Sequence, residues 1–151
     1  MVQRLSRLGN FLPYLLSITS NSVSCRIADE YERRFGLNIP EWRVVAVLGD
    51  AGPMTQRDLV RATMMDKVAV NRACKSLEDR ALVVRSPNVL DGRSHHLDLT
   101  GEGRAVHAEV MVIALDMEHR LFCVLSTEER RQFKAMLSRL REQAGELVME
   151  I

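Results

Sequence analysis

Apolar residues recur every three to four positions along most of this chain, and that spacing predicts helices. From about Arg7 to Phe35, Leu8, Leu12, Leu15 and Ile18 mark one such series, and Phe11, Leu16, Val23, Ile27, Tyr31 and Phe35 mark another. Apolar positions on more than one side predict burial against more than one neighbour. Gly36 is placed to stop this helix. Asn38-Ile39-Pro40-Glu41 reads as a helix start, with a capping asparagine, a first-turn proline and a glutamate three residues on. That helix should run Glu41–Leu48 and end before Asp50-Ala51-Gly52-Pro53.

Thr55-Gln56-Arg57-Asp58 is a second capping signature and opens a short helix, Gln56–Ala62. After a turn at Thr63–Met65 comes a helix over Asp66–Arg80, with Val70, Ala73/Cys74 and Leu77 as a narrow inward stripe. Lys67, Asn71, Arg72 and Lys75 lie outside that stripe, and Asp66 suits the positive end of the helix dipole. Short helix, tight turn and second helix with a polar outer face make a helix-turn-helix. The period then changes to two. Leu82–Arg85 and His95–Leu99 read as strands flanking a polar loop, with Leu97 and Leu99 on one face and His96 and Asp98 on the other. Pro87 has no N–H to donate and should end the first strand. A long helix from Gly101 to about Phe122 follows. Ser126-Thr127-Glu128-Glu129 then opens a last helix carrying Phe133, Leu137, Leu140, Ala144 and Leu147/Val148. The expected class is mainly α with a small β-hairpin.

Composition narrows the function. The 151 residues carry a formal charge of +1, but the charge is unevenly spread. Residues 55–96 hold eight Lys/Arg against five acids, whereas residues 97–151 hold seven against ten. A basic centre followed by an acidic tail suits one nucleic-acid face, although a difference this small is also ordinary fluctuation. No stretch reaches the roughly 18 consecutive apolar residues of a membrane span. The apolar patch Phe11–Leu16 is interrupted by Pro13 and lacks an A-x-A-like cleavage site, so no signal peptide is expected. Cys25, Cys74 and Cys123 are scattered and odd in number, which fits a reducing cytoplasm. G-x-S-x-G, H-E-x-x-H, P-loop and dinucleotide fingerprints are all missing, so neither an enzyme nor a cofactor is expected. His95 and His96 point to opposite faces of a strand, and His96 with Asp98 supplies only two ligands, so no metal is expected either.

The major groove of DNA admits a helix bearing donors and acceptors. On the second helix Lys67, Ala69, Asn71, Arg72 and Lys75 could meet base edges, with Arg72 forking onto guanine, Asn71 pairing with adenine and Ala69 touching a thymine methyl. A solvated helix face would carry the same residue types. In the loop, Arg93 suits the negative potential of a narrow minor groove. Asp91 can hold Arg93 or accept backbone N–H groups in the turn, and Gly92 permits positive φ. Thr55 and Gln56, at the start of the short helix, would hold a phosphate.

These residues carry a resemblance. Asp91-Gly92-Arg93, then Leu99-Thr100 and Gly103, resembles the wing signature Asp-x-Arg, Leu-Thr-x-x-Gly of the MarR family of winged helix-turn-helix transcriptional regulators. Leu77-Glu78-Asp79-Arg80-Ala81-Leu82-Val83 is similar to the family's passage from recognition helix to wing, with Ala81 where glycine is usual. The resemblance implies one MarR-type domain, with residues 1–37 as an N-terminal dimerisation helix, 38–100 as the DNA-binding lobe and 101–151 as C-terminal linker and dimerisation helices. It implies a cytoplasmic homodimer on double-stranded DNA, a pseudo-palindromic operator, and usually repression relieved by a ligand or by oxidation. Leu5, Leu8, Leu12, Phe133, Leu137, Leu140 and Leu147 would form the dimer interface. A small aromatic or phenolic effector would sit between arms and lobe, near Tyr14, Ile18, Trp42, Val45, Met64 and Met111. Core packing is the competing role for each of these six. The redox-sensing branch carries its cysteine near the start of the first helix, where this chain has Pro13-Tyr14. Cys25 lies further on in an apolar-rich segment that should shelter it, and Cys74 is on the inward stripe. A winged helix that binds a protein partner is the other alternative.

Overall fold

The computed structural model describes residues 7–149. In chain order the elements are α1 (Leu12–Phe35), α2 (Ile39–Ala51), β1 (Met54–Thr55), α3 (Gln56–Thr63), α4 (Lys67–Asp79), β2 (Val83–Pro87), β3 (His95–Leu99), α5 (Gly101–Phe122) and α6 (Thr127–Met149). The chain divides into two compact units, Met1–Ala114 and Leu115–Ile151, with the boundary inside α5.

The first helix does not run unbroken from Arg7. Asn10 and Phe11 close short bonds to the carbonyls of Arg7 and Leu8, at 3.3 and 3.1 Å, and Phe11 is extended with ψ 104°. Pro13 is the cause: it has no N–H for the carbonyl of Gly9, and its ring crowds that carbonyl, so the helix restarts with proline in its first turn. Gly36, at φ 63°, ends α1 with its N–H on the carbonyl of Glu32. In α2 both capping-box bonds form, Glu41 N–H to Asn38 Oδ1 at 2.9 Å and Asn38 N–H to Glu41 Oε1 at 3.2 Å. The helix starts directly after that cap, earlier than the Glu41 expected, and continues to Ala51.

Leu37, Val44, Val45, Leu48, Leu59, Val70, Cys74, Leu77, Leu97 and Val110 are fully buried and form one core within the first unit. The sheet has strand order β1-β3-β2 and is antiparallel throughout. The hairpin register pairs Val83 with Leu99 and Pro87 with His95, so Leu97 and Leu99 face the core as their alternation required. β1 is a third strand the periodicity did not reveal. Its two residues pair Met54 with Leu97 and Thr55 with His96.

The end of α4 is a Schellman turn. Leu82 N–H reaches the carbonyl of Leu77 and Ala81 N–H that of Glu78, both at 2.9 Å, and Ala81 adopts φ 56°. Ala81 therefore occupies a left-handed position that favours glycine. Gly103 is required for a different reason: a Cβ there would overlap the carbonyl oxygen of Leu82. In the second unit, Ser126 Oγ accepts the Glu129 N–H at 3.1 Å and starts α6, and Phe122 and Phe133 pack with ring centroids 6.3 Å apart.

These two backbone sites predict opposite outcomes in urea denaturation. Ala81→Gly should stabilise the chain by about 1 kcal/mol by relieving left-handed strain. Gly103→Ala should destabilise it by about 2 kcal/mol through overpacking.

Candidate nucleic-acid interface

α4 is built to present one face. Asp66 Oδ1 accepts the Ala69 N–H at 2.8 Å and caps the helix. Val70, Ala73, Cys74 and Leu77 anchor it in the core. Lys67, Asn71 and Lys75, four residues apart, form an exposed stripe along one flank, with Val68 and Arg72 exposed on the side facing away from the core and Ala69 half-buried.

The wing follows from β2 and β3. At its tip, Asp91 Oδ1 accepts the Arg93 backbone N–H at 3.0 Å, while Ser94 N–H reaches the Asp91 carbonyl at 3.2 Å. Of the two roles open to Asp91, this is the bracing of the turn. Among the described residues no ion pair joins its carboxylate to the Arg93 guanidinium, which stays exposed. Gly92 does not adopt positive φ and has open space around it, which corrects the expectation that the tip needs glycine conformationally. Val89 and Leu90, at 98% and 95% exposure, also project from the tip. Sequence reasoning passed over them because two apolar residues in a loop carry no period.

Between the wing and α3 lies a cleft of about 480 Å³ whose lining includes Arg57, Arg61, Arg85, Arg93 and His95, together with the carboxylates of Asp58 and Asp91. Thr55 and Gln56 also line it, but they are engaged within the chain. Thr55 Oγ1 accepts the Asp58 N–H at 3.1 Å and donates to Asp58 Oδ2 at 2.8 Å. That hydroxyl bond lowers the Asp58 carboxyl below its usual range, so an ionised carboxylate occupies the start of α3. That carboxylate lies beside Thr55 and Gln56, the residues expected at a phosphate. Gln56 instead joins a chain of side chains, with Nε2 donating to Asn71 Oδ1 at 3.1 Å and Oε1 accepting from Arg85 Nη2 at 3.3 Å. Arg85 in turn grips Glu78 through Nε and Nη2, at 2.9 and 3.1 Å. A partner fifteen or more residues away leaves no trace in local spacing, which is why this cluster was missed.

The six expected effector-pocket residues do not share one environment. Val45 is fully buried and belongs to the core, whereas Met64 is 85% exposed at the left-handed end of α3. Trp42 is held between Tyr31 and His107, with ring centroids at 5.7 and 5.9 Å. Tyr14 and Ile18 are exposed and Met111 half-buried. None of the six lines the cleft beside the wing or the smaller one around Gln56, Arg57, Val60 and Lys67.

Among the expected dimer residues, Leu5 lies outside the described residues. Leu8, Leu12, Leu140 and Leu147 are exposed, and Phe133 and Leu137 are half-buried. Cys25 is exposed, contrary to the shelter its apolar neighbours suggested. Cys74 is buried, and desolvation pushes its thiol up to about 11. Asp98, considered with His96 as a ligand pair, is bound to Arg104 at 2.9 Å. No described helix is long and apolar enough to cross a membrane.

Residues 35–94 match the model of the MarR family. An HTH-type transcriptional repressor of Mycobacterium tuberculosis is 34% identical over 107 residues, covering 70% of this chain and 76% of that protein. The chain belongs to the MarR family. It is a transcriptional regulator by that membership, and its winged helix-turn-helix agrees. The crystal structure of a MarR family regulator from Silicibacter pomeroyi DSS-3 superposes with TM-score 0.77 at 31% identity, covering 91% of this chain and 97% of that one. At 24% identity, Bordetella bronchiseptica BpsR, whose DNA binding is regulated by 6-hydroxynicotinic acid, shares the fold with TM-score 0.78 over 87% of this chain and 94% of its own.

The raised Cys74 thiol predicts selective chemistry. At pH 8 a thiol with this pKa is thiolate in about one molecule in a thousand. Iodoacetamide should leave Cys74 unmodified in the folded protein and label it once the chain is unfolded, as peptide mass spectrometry would read.

Proposed function

We propose that this chain is a ligand-responsive repressor that binds a pseudo-palindromic operator as a homodimer. The observation that carries the reading is the pairing of the exposed stripe Lys67, Asn71 and Lys75, with Arg72 beside it, to a wing whose Arg93 guanidinium is unpaired among the described residues. A helix face bearing donors fits the major groove, and an arginine on a thin hairpin fits the minor groove beside it. Arg57 and Arg61, on the cleft beside the wing, carry charge that would meet phosphate, whereas the side chains of Thr55 and Gln56 are hydrogen-bonded within the chain.

The dimer reading is supported by apolar surface that each unit leaves open. Leu8, Phe11, Leu12, Leu16 and Ile18 are exposed in the first, and Val124, Met136, Leu140, Leu147 and Val148 in the second. Covering such surface is what a second copy does. Residues 1–37 and 101–151 would then serve dimerisation and 38–100 the DNA, with the two α4 helices roughly 34 Å apart, one helical turn of DNA. The effector would be a small aromatic acid near Tyr14, Ile18, Trp42 and Met111. It can release DNA only by binding the DNA-incompetent form more tightly. This function assigns the chain no catalytic chemistry and places it in the cytoplasm with its operator.

The test is binding to operator fragments captured from genomic DNA, repeated across salt concentrations and a panel of hydroxylated aromatic acids. Affinity should fall steeply with salt. Arg72→Ala and Arg93→Ala should each weaken operator binding by roughly tenfold. Wild-type protein with no salt-sensitive affinity for DNA would overturn the reading.

A further inference from the structure

The side chains joining the wing to α4 have a direction, and that direction ends at Asn71. Glu78 can only accept, and it takes two bonds from Arg85, Nε to Oε1 at 2.9 Å and Nη2 to Oε2 at 3.1 Å. A guanidinium can only donate, so the atom of Gln56 that Arg85 Nη2 meets at 3.3 Å has to be the carbonyl oxygen. With Oε1 committed there, the amide plane turns Nε2 the other way, where Asn71 Oδ1 lies 3.1 Å off. The orientation of an amide is ordinarily ambiguous. Here the charge on Arg85 settles it, and the same rule passes to the next amide. Asn71 offers Oδ1 back to Gln56, and its Nδ2, which no other described residue holds, is left for whatever approaches the exposed stripe of α4.

We infer that Gln56 is a positioning residue for base specificity: through it, Arg85 and Glu78 hold Asn71 as a hydrogen-bond donor toward the major groove. The inference rests on the operator-binding reading above and names a preference within it. An asparagine that pairs with adenine in the bidentate manner uses its oxygen and its nitrogen together. Asn71 has its oxygen engaged by Gln56. It therefore favours base edges that carry acceptors, above all guanine with N7 and O6, and disfavours cytosine, which offers the N4 donor. This replaces the adenine pairing expected from residue type alone.

The prediction is a reversal. In Gln56→Glu, the side chain facing Asn71 can only accept, so the Asn71 amide turns its nitrogen inward and its oxygen outward. The experiment uses full-length protein and a duplex selected by the wild type from a random pool of about 20 base pairs, long enough for two half-sites. Each position is then varied symmetrically in both half-sites. Wild type should have one position per half-site where guanine binds roughly tenfold better than cytosine. At that position alone, Gln56→Glu should reverse the order, while its added negative charge lowers affinity for all sequences alike. Gln56→Ala, which lets the amide turn freely, should flatten the preference there and carries the test if Gln56→Glu does not fold. Operator binding with every base preference unchanged in both variants would overturn the inference and leave the regulator reading standing. Failure of the wild type to select any duplex would overturn both.

Discussion

The backbone turn at Ala81 and Leu82 is where three structural elements are tied together. The Thr100 hydroxyl donates to the Ala81 carbonyl at 2.7 Å and accepts the Gly103 N–H at 3.0 Å, while Thr100 N–H reaches the Leu82 carbonyl at 3.0 Å. One threonine thus closes the end of α4, the base of the wing and the first turn of α5. Each bond is worth only about 1 kcal/mol net, but together they remove the freedom of wing and helix to move apart. Gly103 brings α5 so close to Leu82 that no side chain fits between them. The Leu-Thr-x-x-Gly pattern is therefore a description of this knot. The left-handed Ala81 is tolerated because the bonds around it leave the chain no other path.

A second polar centre steadies the same helix from behind. Glu41 is almost fully buried, and its two oxygens serve different elements. Oε1 completes the cap of α2, while Oε2 accepts the Ser76 hydroxyl at 2.9 Å and lies 3.8 Å from Arg80 Nη1. A buried carboxylate is costly unless its lone pairs are satisfied, and here a capping residue becomes a brace between α2 and α4.

Much of this fold was legible in the residues. The boxes at Asn38/Glu41 and Thr55/Asp58, the inward stripe of α4 and the alternation of Leu97 and Leu99 are local patterns, set by bonds and packing within four or five residues, and all appear in the structure. The restart at Phe11 was legible in principle, since Pro13 cannot continue a helix from the preceding turn. The two-residue β1 was not, because a strand that short has no period and exists only by pairing with Leu97 and His96. The surface of α4 could be named from spacing, but the state of Asn71 could not. It depends on Gln56, fifteen residues earlier, and on the wing strand bearing Arg85, and only folding makes them neighbours.

Arg80 has a mechanical consequence. Its guanidinium donates to the carbonyls of Phe35 and Gly36, at 2.5 and 3.2 Å, so the residue that caps the end of α4 grips the foot of α1. With 24 residues, α1 is a rod of roughly 36 Å. A rod clamped at its foot is a lever. Turning it by about 5° about that foot would displace its far end by roughly 3 Å. Any small angle admitted by the two bonds of this one guanidinium is thus magnified along the length of α1.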